Sequence, residues 1–360
     1  MTNENINFQG AVCPIPLIHN DQIVLGHGSG GRMSHDLINQ FFITAFDNPI
    51  LMAGDDSGVI QLPDGSRLAV STDSHVVSPL FFPGGDIGRL AVCGTVNDIA
   101  MVGAIPKYLS AGFILEEGLD IHILESIIHS MQTAAAEADV LLIAGDTKVV
   151  QKGKADGLYI NTTGIGIIPD SINISGANAK PGDIVLINGT IGDHGISVLE
   201  ARGELGFSSS IRSDTAPLNH LVYTIIDLAL KKGKGDTIHV LRDPTRGGLA
   251  TSLNEIALQS QVNITIDENS IPIKPEVTAA CDMLGFDPLY IANEGKFILI
   301  VSSEFADEAL DLMKKSNNGK DAAIIGRVNE SPKNKVLMKT AFGSTRIIDM
   351  LSSEILPRIC

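Results

Sequence analysis

The sequence lacks a surplus of basic residues, a long apolar run and a signal-like start. Its 42 acidic and 26 basic side chains give a net charge of -16, which argues against nucleic acid or an anionic membrane as the main partner. No apolar run approaches the roughly 18 residues needed to span a bilayer, and residues 1–10 lack a basic flank and an apolar core. We therefore expect a cytoplasmic protein whose acidic groups suit cations.

Cysteine is also scarce. Cys13, Cys93, Cys281 and Cys360 lie far apart and include no C-x-x-C pair. This spacing indicates neither a zinc knuckle nor a disulfide framework, so we expect reduced thiols. Cys13 lies between apolar residues and two prolines, and we assign it no role beyond packing.

The length of 360 residues, 44% of them hydrophobic, predicts two compact domains of ordinary size. A polar stretch near residues 169–181 separates two halves, which we place at residues 50–168 and 181–350. A glycine-rich loop and helix at 22–49 precede the first half. Residues 1–21 form an extension without an assigned role, and residues 351–360 form a tail.

Periodicity and turn residues predict strands and helices in an irregular, mixed order. The expected strands are 22–25, 68–72, 108–115, 140–144, 158–168, 183–188 and 297–301, with a closing hairpin of 335–341 and 345–350. The expected helices are 33–46, 86–102, 119–139, 196–202, one after Pro217, one opened by Arg246-Gly247-Gly248, and 306–315.

A glycine-rich loop runs from Gly26 to Gly31 and enters the first helix. Such a loop lets backbone N–H groups approach phosphate oxygens, and a helix N-terminus adds partial positive charge. The loop fits G-x-G-x-x-G, but the elements that follow do not continue the alternating βαβ series of a dinucleotide site. Because no G-x-x-x-x-G-K-[ST] occurs either, a nucleotide would be bound here without a P-loop.

Carboxylates recur at the ends of the expected elements. They are Asp55, Asp56, Asp73, Asp98 (after Asn97), Asp146, Asp193 and Asp243. Each taken singly is explained by helix capping or a turn. Together they suit Mg²⁺, which binds one or two protein carboxylates plus phosphate oxygens. Lys148 and Arg246 could neutralise those phosphates.

The sequence ends in Leu356-Pro357-Arg358-Ile359-Cys360. Pro357 has no N–H group and favours extended backbone before it, so we expect a mobile arm outside any helix or strand. A thiolate at Cys360 is a nucleophile, favoured by Arg358 and opposed by the neighbouring carboxylate. A frayed terminus that happens to end in cysteine is the alternative reading.

Taken together, these motifs closely resemble the HypE family of hydrogenase maturation proteins, within the wider aminoimidazole-ribonucleotide (AIR) synthetase superfamily. The resemblance covers residues 22–360. It rests on His27-Gly28-Ser29-Gly30-Gly31, Ser71-Thr72-Asp73-Ser74, Gly94-Thr95-Val96-Asn97-Asp98, Gly145-Asp146-Thr147-Lys148, Gly192-Asp193-His194-Gly195, Thr245-Arg246-Gly247-Gly248, Ala292-Asn293-Glu294-Gly295-Lys296 and Pro357-Arg358-Ile359-Cys360.

The resemblance implies a two-domain α/β (α+β) fold of the AIR synthase-like (PurM-like) type. Its ferredoxin-like first domain would pair its sheet with that of a second subunit in a homodimer. The family takes a carbamoyl group, through its partner HypF, onto the terminal cysteine. It then uses ATP to dehydrate the S-carboxamide to a thiocyanate, whose cyanide passes to iron held by HypC and HypD for [NiFe] hydrogenase.

The resemblance and this chemistry together assign the site residues. Residues expected to bind the nucleotide are Gly28, Ser29, Gly30, Gly31, Thr72, Asn97, Asp98, Asp146, Thr147, Lys148 and Arg246. Residues expected to bind Mg²⁺ are Asp55, Asp56, Asp73, Asp98 and Asp243, with the choice between Asp55 and Asp56 open. The catalytic assignments are Cys360, Lys148 and Asp98, with Glu294 preferred over His194 as the base at the amide nitrogen.

Two rival functions are compatible with parts of the sequence. The first is another ATP enzyme of the superfamily, such as a selenophosphate synthetase or a thiamine-monophosphate kinase, but neither explains the cysteine at position 360. The second is a nucleotide-sensing scaffold that binds ATP and partners without turnover.

Overall fold

In the computed structural model the chain is described at residues 22–206, 210–352, 356 and 358–360. The predictions for residues 1–21, including Cys13, and for Pro357 lie outside these residues. Each half of the chain forms one large mixed sheet covered by helices.

A helical stretch precedes the first sheet. It consists of a 3-10 turn (Leu25–Gly28), α1 (Arg32–Leu37), a π-helical segment (Ile38–Ile43), α2 (Thr44–Phe46) and α3 (Pro49–Met52). The helix predicted at 33–46 is therefore confirmed, whereas the strand predicted at 22–25 is wrong. A strand needs a hydrogen-bonded neighbour, and this short apolar run has none; its end turns into the 3-10 segment instead.

The first sheet has the strand order β1-β2-β7-β5-β6, and a separate two-stranded ribbon joins β3 to β4. The strands are β1 (Gly58–Gln61), β2 (Arg67–His75), β3 (Phe81–Phe82), β4 (Gly85–Asp86), β5 (Ile105–Glu116), β6 (Leu141–Val150) and β7 (Leu158–Ile168). Strand β2 pairs with β7 in antiparallel register along its whole length, and β6 pairs with β5 in parallel. Strand β6 is therefore one edge of this sheet, and β1 is the other.

Helices α4 (Ile87–Met101) and α5 (Ile121–Ala138) cover one face of the sheet. Helix α4 begins where the Asp86 carboxylate accepts the N–H groups of Gly88 (2.7 Å) and Arg89 (3.1 Å), which satisfies two free donors of the first turn. Helix α4 is buried almost all round because it also contacts helix α7 (Asn219–Lys231) of the second half. The polar side chains that it carries are therefore held in the interior.

Within the described residues, no helix packs over the other face of the first sheet. Its apolar side chains remain exposed, among them Leu141 (65%) on β6, Ile114 (44%) on β5 and Ile167 (47%) on β7. Such a contiguous apolar surface is typical of a protein–protein interface.

The second sheet has the order β14-β13-β10-β12-β8-β11-β9. Its strands are β8 (Ile184–Ile187), β9 (Ile238–Arg242), β10 (Asn263–Asp267), β11 (Ile298–Val301), β12 (Ala323–Asn329), β13 (Lys335–Lys339) and β14 (Thr345–Ile348). The remaining helices are α6 (Asp193–Ala201), α7, α8 (Gly248–Gln259), α9 (Pro275–Leu284) and α10 (Ser303–Lys315).

The two halves share their hydrophobic cores. Ile99 and Met101 of α4 pack in one cluster with Ile225 of α7 and Phe297, while Leu356 and Ile359 of the tail pack in a cluster with first-half residues. This close packing places the carboxylates of the first half against loops of the second. No helix of the described residues is long and apolar enough to cross a membrane.

Candidate active site

A cavity of about 340 Å³ lies where the two halves meet. Its wall is formed by His27, Gly30, Ser34, His35, Ile38, Asp56, Ser71, Thr72, Asp73, Gly94, Asp98, Arg242, Asp243, Thr245, Arg246, Ser252, Glu255, Glu294 and Cys360. Nine predicted site residues are thus brought together in one place, which we call the acidic pocket.

Separate elements bring four aspartates to the pocket. Asp56 lies in the loop before β1, Asp73 lies on β2, Asp98 lies on α4 and Asp243 follows β9. The hydroxyl of Ser71, two residues before Asp73 on β2, donates to Asp98 Oδ2 at 2.7 Å. This bond ties the inner helix to the strand and orients the Asp98 carboxylate.

Arg242, at the end of β9, is the main counter-charge in the pocket. Its guanidinium lies 2.8 Å from Asp56 Oδ1 and 3.5 Å from Glu255 Oε2, and only 8% of its side chain is exposed. Burial opposes its charge, but the surrounding carboxylates outweigh that cost and raise the pKa of Arg242.

Asp98 and Asp243 have raised pKa values, whereas the pKa of Asp73 is lowered. Burial, followed by repulsion from neighbouring carboxylates, raises the pKa of Asp98 well above its ordinary value. Burial likewise raises the pKa of Asp243 to about 7. Burial also disfavours ionised Asp73, but His75 and Arg246 outweigh it and lower the pKa of that carboxyl. A bound cation would relieve the repulsion that raises the first two pKa values.

The donor set fits a magnesium–nucleotide complex better than a metal held by protein alone. Two carboxylate oxygens facing this region, Asp243 Oδ2 and Glu294 Oε1, are buried and lack a hydrogen-bond partner in the described part of the chain. Yet no three His, Cys, Asp or Glu side chains in that part are grouped so that they alone could hold a metal ion. Mg²⁺ commonly takes one or two carboxylates and completes its shell with phosphate and water oxygens.

Glu294 is buried, with 4% of its surface exposed. Burial, followed by repulsion from Asp73 and Asp243, raises its pKa well above the usual value for glutamate. Since Glu294 and Cys360 line the same cavity, a carboxyl group that can accept a proton faces the space beside the thiol.

The described tail residues are docked, not free. The N–H of Val76 donates to the Cys360 carbonyl at 2.8 Å, and the N–H of Ser78 donates to the Arg358 carbonyl at 3.2 Å. Leu356 and Ile359 are buried in the core. The mobile arm expected for the tail is not confirmed, and a frayed terminus does not describe this docked segment either, while the expected absence of helix and strand is confirmed for these residues.

The side chains of Arg202 and His194 contact backbone carbonyl groups of the tail. Arg202 donates from Nε to the Ser78 carbonyl and from Nη2 to the Arg358 carbonyl, both at 2.6 Å. His194 Nε2 lies 2.7 Å from the Ile359 carbonyl oxygen, and its Nδ1 lies 2.8 Å from Ser213 Oγ. Both ring nitrogens of His194 are therefore engaged, so the structure gives this residue an anchoring position beneath the tail.

Several predicted residues lie outside the pocket. Asp55 accepts from Ser175 Oγ (3.1 Å) and Gly176 N (2.8 Å), so of the two neighbouring aspartates only Asp56 faces the cavity. Asn97 is buried and braces the second half, accepting from Leu218 N at 2.8 Å.

The glycine-rich loop contributes Gly30 to the cavity wall. The amide of Gly30 already donates to Ser34 Oγ (2.9 Å), and that of Gly31 donates to Ser29 Oγ (3.2 Å). Arg246 donates to the Gly28 carbonyl at 3.1 Å. A side chain at position 30 would meet Arg246 Cβ at 2.8 Å, and φ there is +74°, so the close approach requires glycine.

Asp146, Thr147 and Lys148 are not brought to the acidic pocket. They lie on the exposed edge strand β6, where Lys148 Nζ pairs with Asp146 at 2.7 Å. Asp146 and Lys148 line a second cavity of about 410 Å³ on the open face of the first sheet, which we call the sheet recess. Its other wall includes Ser74 and His75.

The sequence analysis missed Arg242, Glu255, Arg202 and Ser71. Arg242 directly precedes Asp243, and recognising strand β9 would have placed both at one strand end. Nothing in the local sequence around Arg202 indicates that it reaches the tail.

Comparisons with known proteins agree with the motifs. Residues 54–168 match the AIR synthase related protein N-terminal domain, and residues 180–339 match the corresponding C-terminal domain. Carbamoyl dehydratase HypE of Cupriavidus necator is 51% identical over 343 residues, covering 95% of this chain and 96% of the relative. The chain belongs to the HypE family.

Solved HypE structures have the same fold. A HypE–HypF complex superposes with a TM-score of 0.82 at 50% identity, covering 88% of this chain and 99% of that one. HypE in complex with ATP gives a TM-score of 0.78 at 50% identity, covering 94% and 100%. A thiamine monophosphate kinase from Aquifex aeolicus, at 18% identity and a TM-score of 0.61 over 88% and 99%, shares the fold alone. Family membership therefore favours the dehydratase over both rival functions.

Proposed function

We propose that this HypE-family carbamoyl dehydratase carries its substrate on Cys360 and dehydrates it in the acidic pocket, using ATP. The observation that carries the proposal is that Cys360, Glu294 and the buried carboxylates line one cavity. HypF is the proposed carbamoyl donor, and the HypC–HypD pair is the proposed acceptor of the cyanide. A HypE–HypF complex of a relative supports the first of these partners.

The reaction needs the amide oxygen to become a leaving group. The carboxamide oxygen attacks the γ-phosphorus of ATP and ADP departs. The carbon–oxygen bond then breaks, phosphate leaves, and the nitrogen gives up its two protons as the carbon–nitrogen triple bond forms. In sum, one ATP becomes ADP and phosphate while the carboxamide loses the elements of water.

Residues of the pocket are suited to these reaction steps. Arg246 lines the pocket, where its positive charge can balance the charge of phosphate groups. The pKa of Arg246 is raised, first of all by the negative charge at Cys360. Glu294 takes a proton from the amide nitrogen. One or two of Asp56, Asp73, Asp98 and Asp243 would hold Mg²⁺ together with phosphate oxygens, and the ion would neutralise charge on the transferring phosphoryl group. Positioning of these groups supplies much of the rate.

We further infer a homodimer formed through the open face of the first sheet. The exposed apolar side chains of β6 support it. Ser74, Asn161, Gly112 and Asp146 are in register across β2, β7, β5 and β6, so three strand spacings, about 14 Å, separate β2 from β6. Lys148 is thus remote from the pocket of its own chain, and we propose that it serves the partner subunit's nucleotide.

Mass spectrometry of the intact chain tests the proposal. Incubation with a carbamoyl donor and the partner transferase should add one carboxamide, and ATP with Mg²⁺ should then remove one water. Cys360→Ala should bind ATP normally and gain no carboxamide. Excess chelator should leave the carboxamide in place and block the water loss. A carboxamide that still forms on Cys360→Ala would refute the assignment of the acceptor.

A further inference from the structure

The turn that carries Glu294 is held from below by a buried aspartate. Asp214 Oδ1 accepts the N–H of Glu294 at 3.1 Å, and Oδ2 accepts the N–H of Gly295 at 3.2 Å. Oδ2 also pairs with Lys296 Nζ at 3.0 Å, and only 4% of the Asp214 side chain is exposed. One carboxylate therefore fixes three consecutive residues of the turn.

The segment around Asp214 is itself tied down on both sides. Ser213 N donates to the Pro83 carbonyl at 2.7 Å, and the Thr215 carbonyl accepts from Arg89 Nε at 3.0 Å. Ser213 Oγ contacts His194, which holds the tail carbonyl of Ile359. Asp214 thus binds the turn that carries Glu294, while the neighbouring Ser213 contacts His194, which in turn contacts the tail.

Space at the turn is equally restricted. A side chain on Gly295 would collide with the backbone carbonyl of Asp214, so the two backbones are in direct contact. Asn97 Nδ2 donates to the Ala216 carbonyl at 3.1 Å and lies 3.4 Å from the Glu294 carbonyl. The backbone of the turn is therefore held by polar contacts that leave the Glu294 side chain facing the cavity.

We propose that Asp214 is a positioning residue for the dehydration step, which holds Glu294 in register with the carboxamide on Cys360. The proposal rests on the function proposed above and extends it to a residue that does not line the pocket. Asp214 acts through two backbone N–H groups, so its effect should fall on the rate of water loss. Binding of ATP, which involves other walls of the pocket, should be spared.

Asp214→Asn tests the geometry with little change in volume. Asparagine can accept from one of the two N–H groups, but its own amide nitrogen then faces the second donor. Because a displacement of about 1 Å can cost about a hundredfold in rate, we expect water loss from the Cys360 carboxamide to slow by about 10- to 100-fold. The dissociation constant for ATP should stay within about twofold.

A double variant that removes both charges separates the positioning role of Asp214 from its ion pair with Lys296. Asp214→Asn alone leaves Lys296 buried without its partner, which destabilises the fold. Asp214→Asn with Lys296→Met removes both charges and should restore the thermal unfolding midpoint, but not the rate of water loss. Recovery of both would overturn the proposal, because Asp214 would then serve only to neutralise Lys296.

Hydrogen exchange at residues 294–296 provides a readout that needs no turnover. Both Asp214 variants should exchange the Glu294 and Gly295 amides at least about tenfold faster than the unaltered chain. Asp183→Asn is the matched control, since Asp183 is buried and paired with His239 at 2.7 Å away from the pocket. It should change neither water loss nor exchange at 294–296.

Failure of the proposed function and failure of the Asp214 role give different results. Absence of water loss in the unaltered chain would refute the proposed function, and exchange at the turn would still decide whether Asp214 clamps it. Normal water loss in Asp214→Asn, or unchanged exchange, would overturn the positioning role while leaving the function intact.

Discussion

At the scale of single residues, the pocket holds carboxylates whose burial does not stabilise the fold. Asp98 is half-buried on a mostly apolar helix, and its neighbours include Asp73, Asp243 and Asp56. Repulsion among buried carboxylates destabilises the empty pocket. Asp55, one residue from Asp56, instead accepts two hydrogen bonds from residues 175 and 176. Neighbouring carboxylates thus have separate roles, one towards a ligand and one towards the fold.

Asp98→Asn should separate these roles. Asparagine can still accept the Ser71 hydroxyl but removes one negative charge, so the thermal midpoint should stay equal or rise. Phosphate release from ATP, with carboxamide-bearing chain as substrate, should fall by at least about 100-fold because the cation loses a ligand.

Asp55→Asn is the contrasting variant for the same assay. Its Oδ1 can still accept from Ser175 and Gly176, so the unfolding free energy should fall by no more than about 1 kcal/mol, the usual worth of one such bond. Its turnover should remain within about threefold of the unaltered chain. Loss of turnover in Asp55→Asn with undiminished stability would show that Asp55, too, binds the metal.

At the scale of elements, the sequence predicted those helices and strands whose formation depends on nearby residues. Helix α5 was placed within two residues at each end, because its apolar stripe is regular and Asp120 caps it. Strands β9, β10 and β12 were missed, since a short strand is recognisable mainly by its neighbours in the sheet. The aspartates of the pocket were predicted, most of them from their positions at element ends. Arg202 and the docking of the tail were not, because they depend on contacts between residues about 150 positions apart.

The docked tail predicts a measurable protection of Cys360. Arg202→Gln removes the guanidinium that holds the Arg358 and Ser78 carbonyls, so the tail should detach more often. In a Cys13→Ser background, alkylation of Cys360 should accelerate by about tenfold, which corresponds to about 1.4 kcal/mol of lost docking free energy. Cys93 and Cys281 are fully buried and should remain silent.

Arg67→Gln is the matched control for tail release. Arg67 also donates to a backbone carbonyl, that of Pro169 at 2.9 Å, but lies away from the tail. In Arg67→Gln, Cys360 should be alkylated at the same rate as in the parent chain. Equal rates in Arg202→Gln would mean that Arg202 does not hold the tail.

At the scale of the whole molecule, the open sheet face is the largest feature that the single chain leaves unexplained. Strand β6 exposes apolar and charged side chains along its length, although β5 beside it is half-buried. Leu141→Arg should convert the proposed dimer into a species of about the chain mass of 38.1 kDa, as measured by sedimentation at micromolar concentration. Burying a guanidinium without a partner is far more costly than losing the leucine contact. Ile128→Arg, at an exposed position of α5 on the opposite face, should remain dimeric.

Mixed dimers decide whether Lys148 acts across that interface. A heterodimer, purified through two different tags, would combine a Lys148→Ala chain with a Glu294→Gln chain. If Lys148 serves the partner's pocket, one of the two sites contains both an intact lysine and an intact glutamate, and the heterodimer should show about half the turnover of the parent dimer. If each pocket uses its own lysine, both sites carry a lesion and turnover should match that of the inactive homodimers. The distance of about 14 Å between β2 and β6 within one chain favours the first result, since Lys148 Nζ is paired with Asp146 on the far strand.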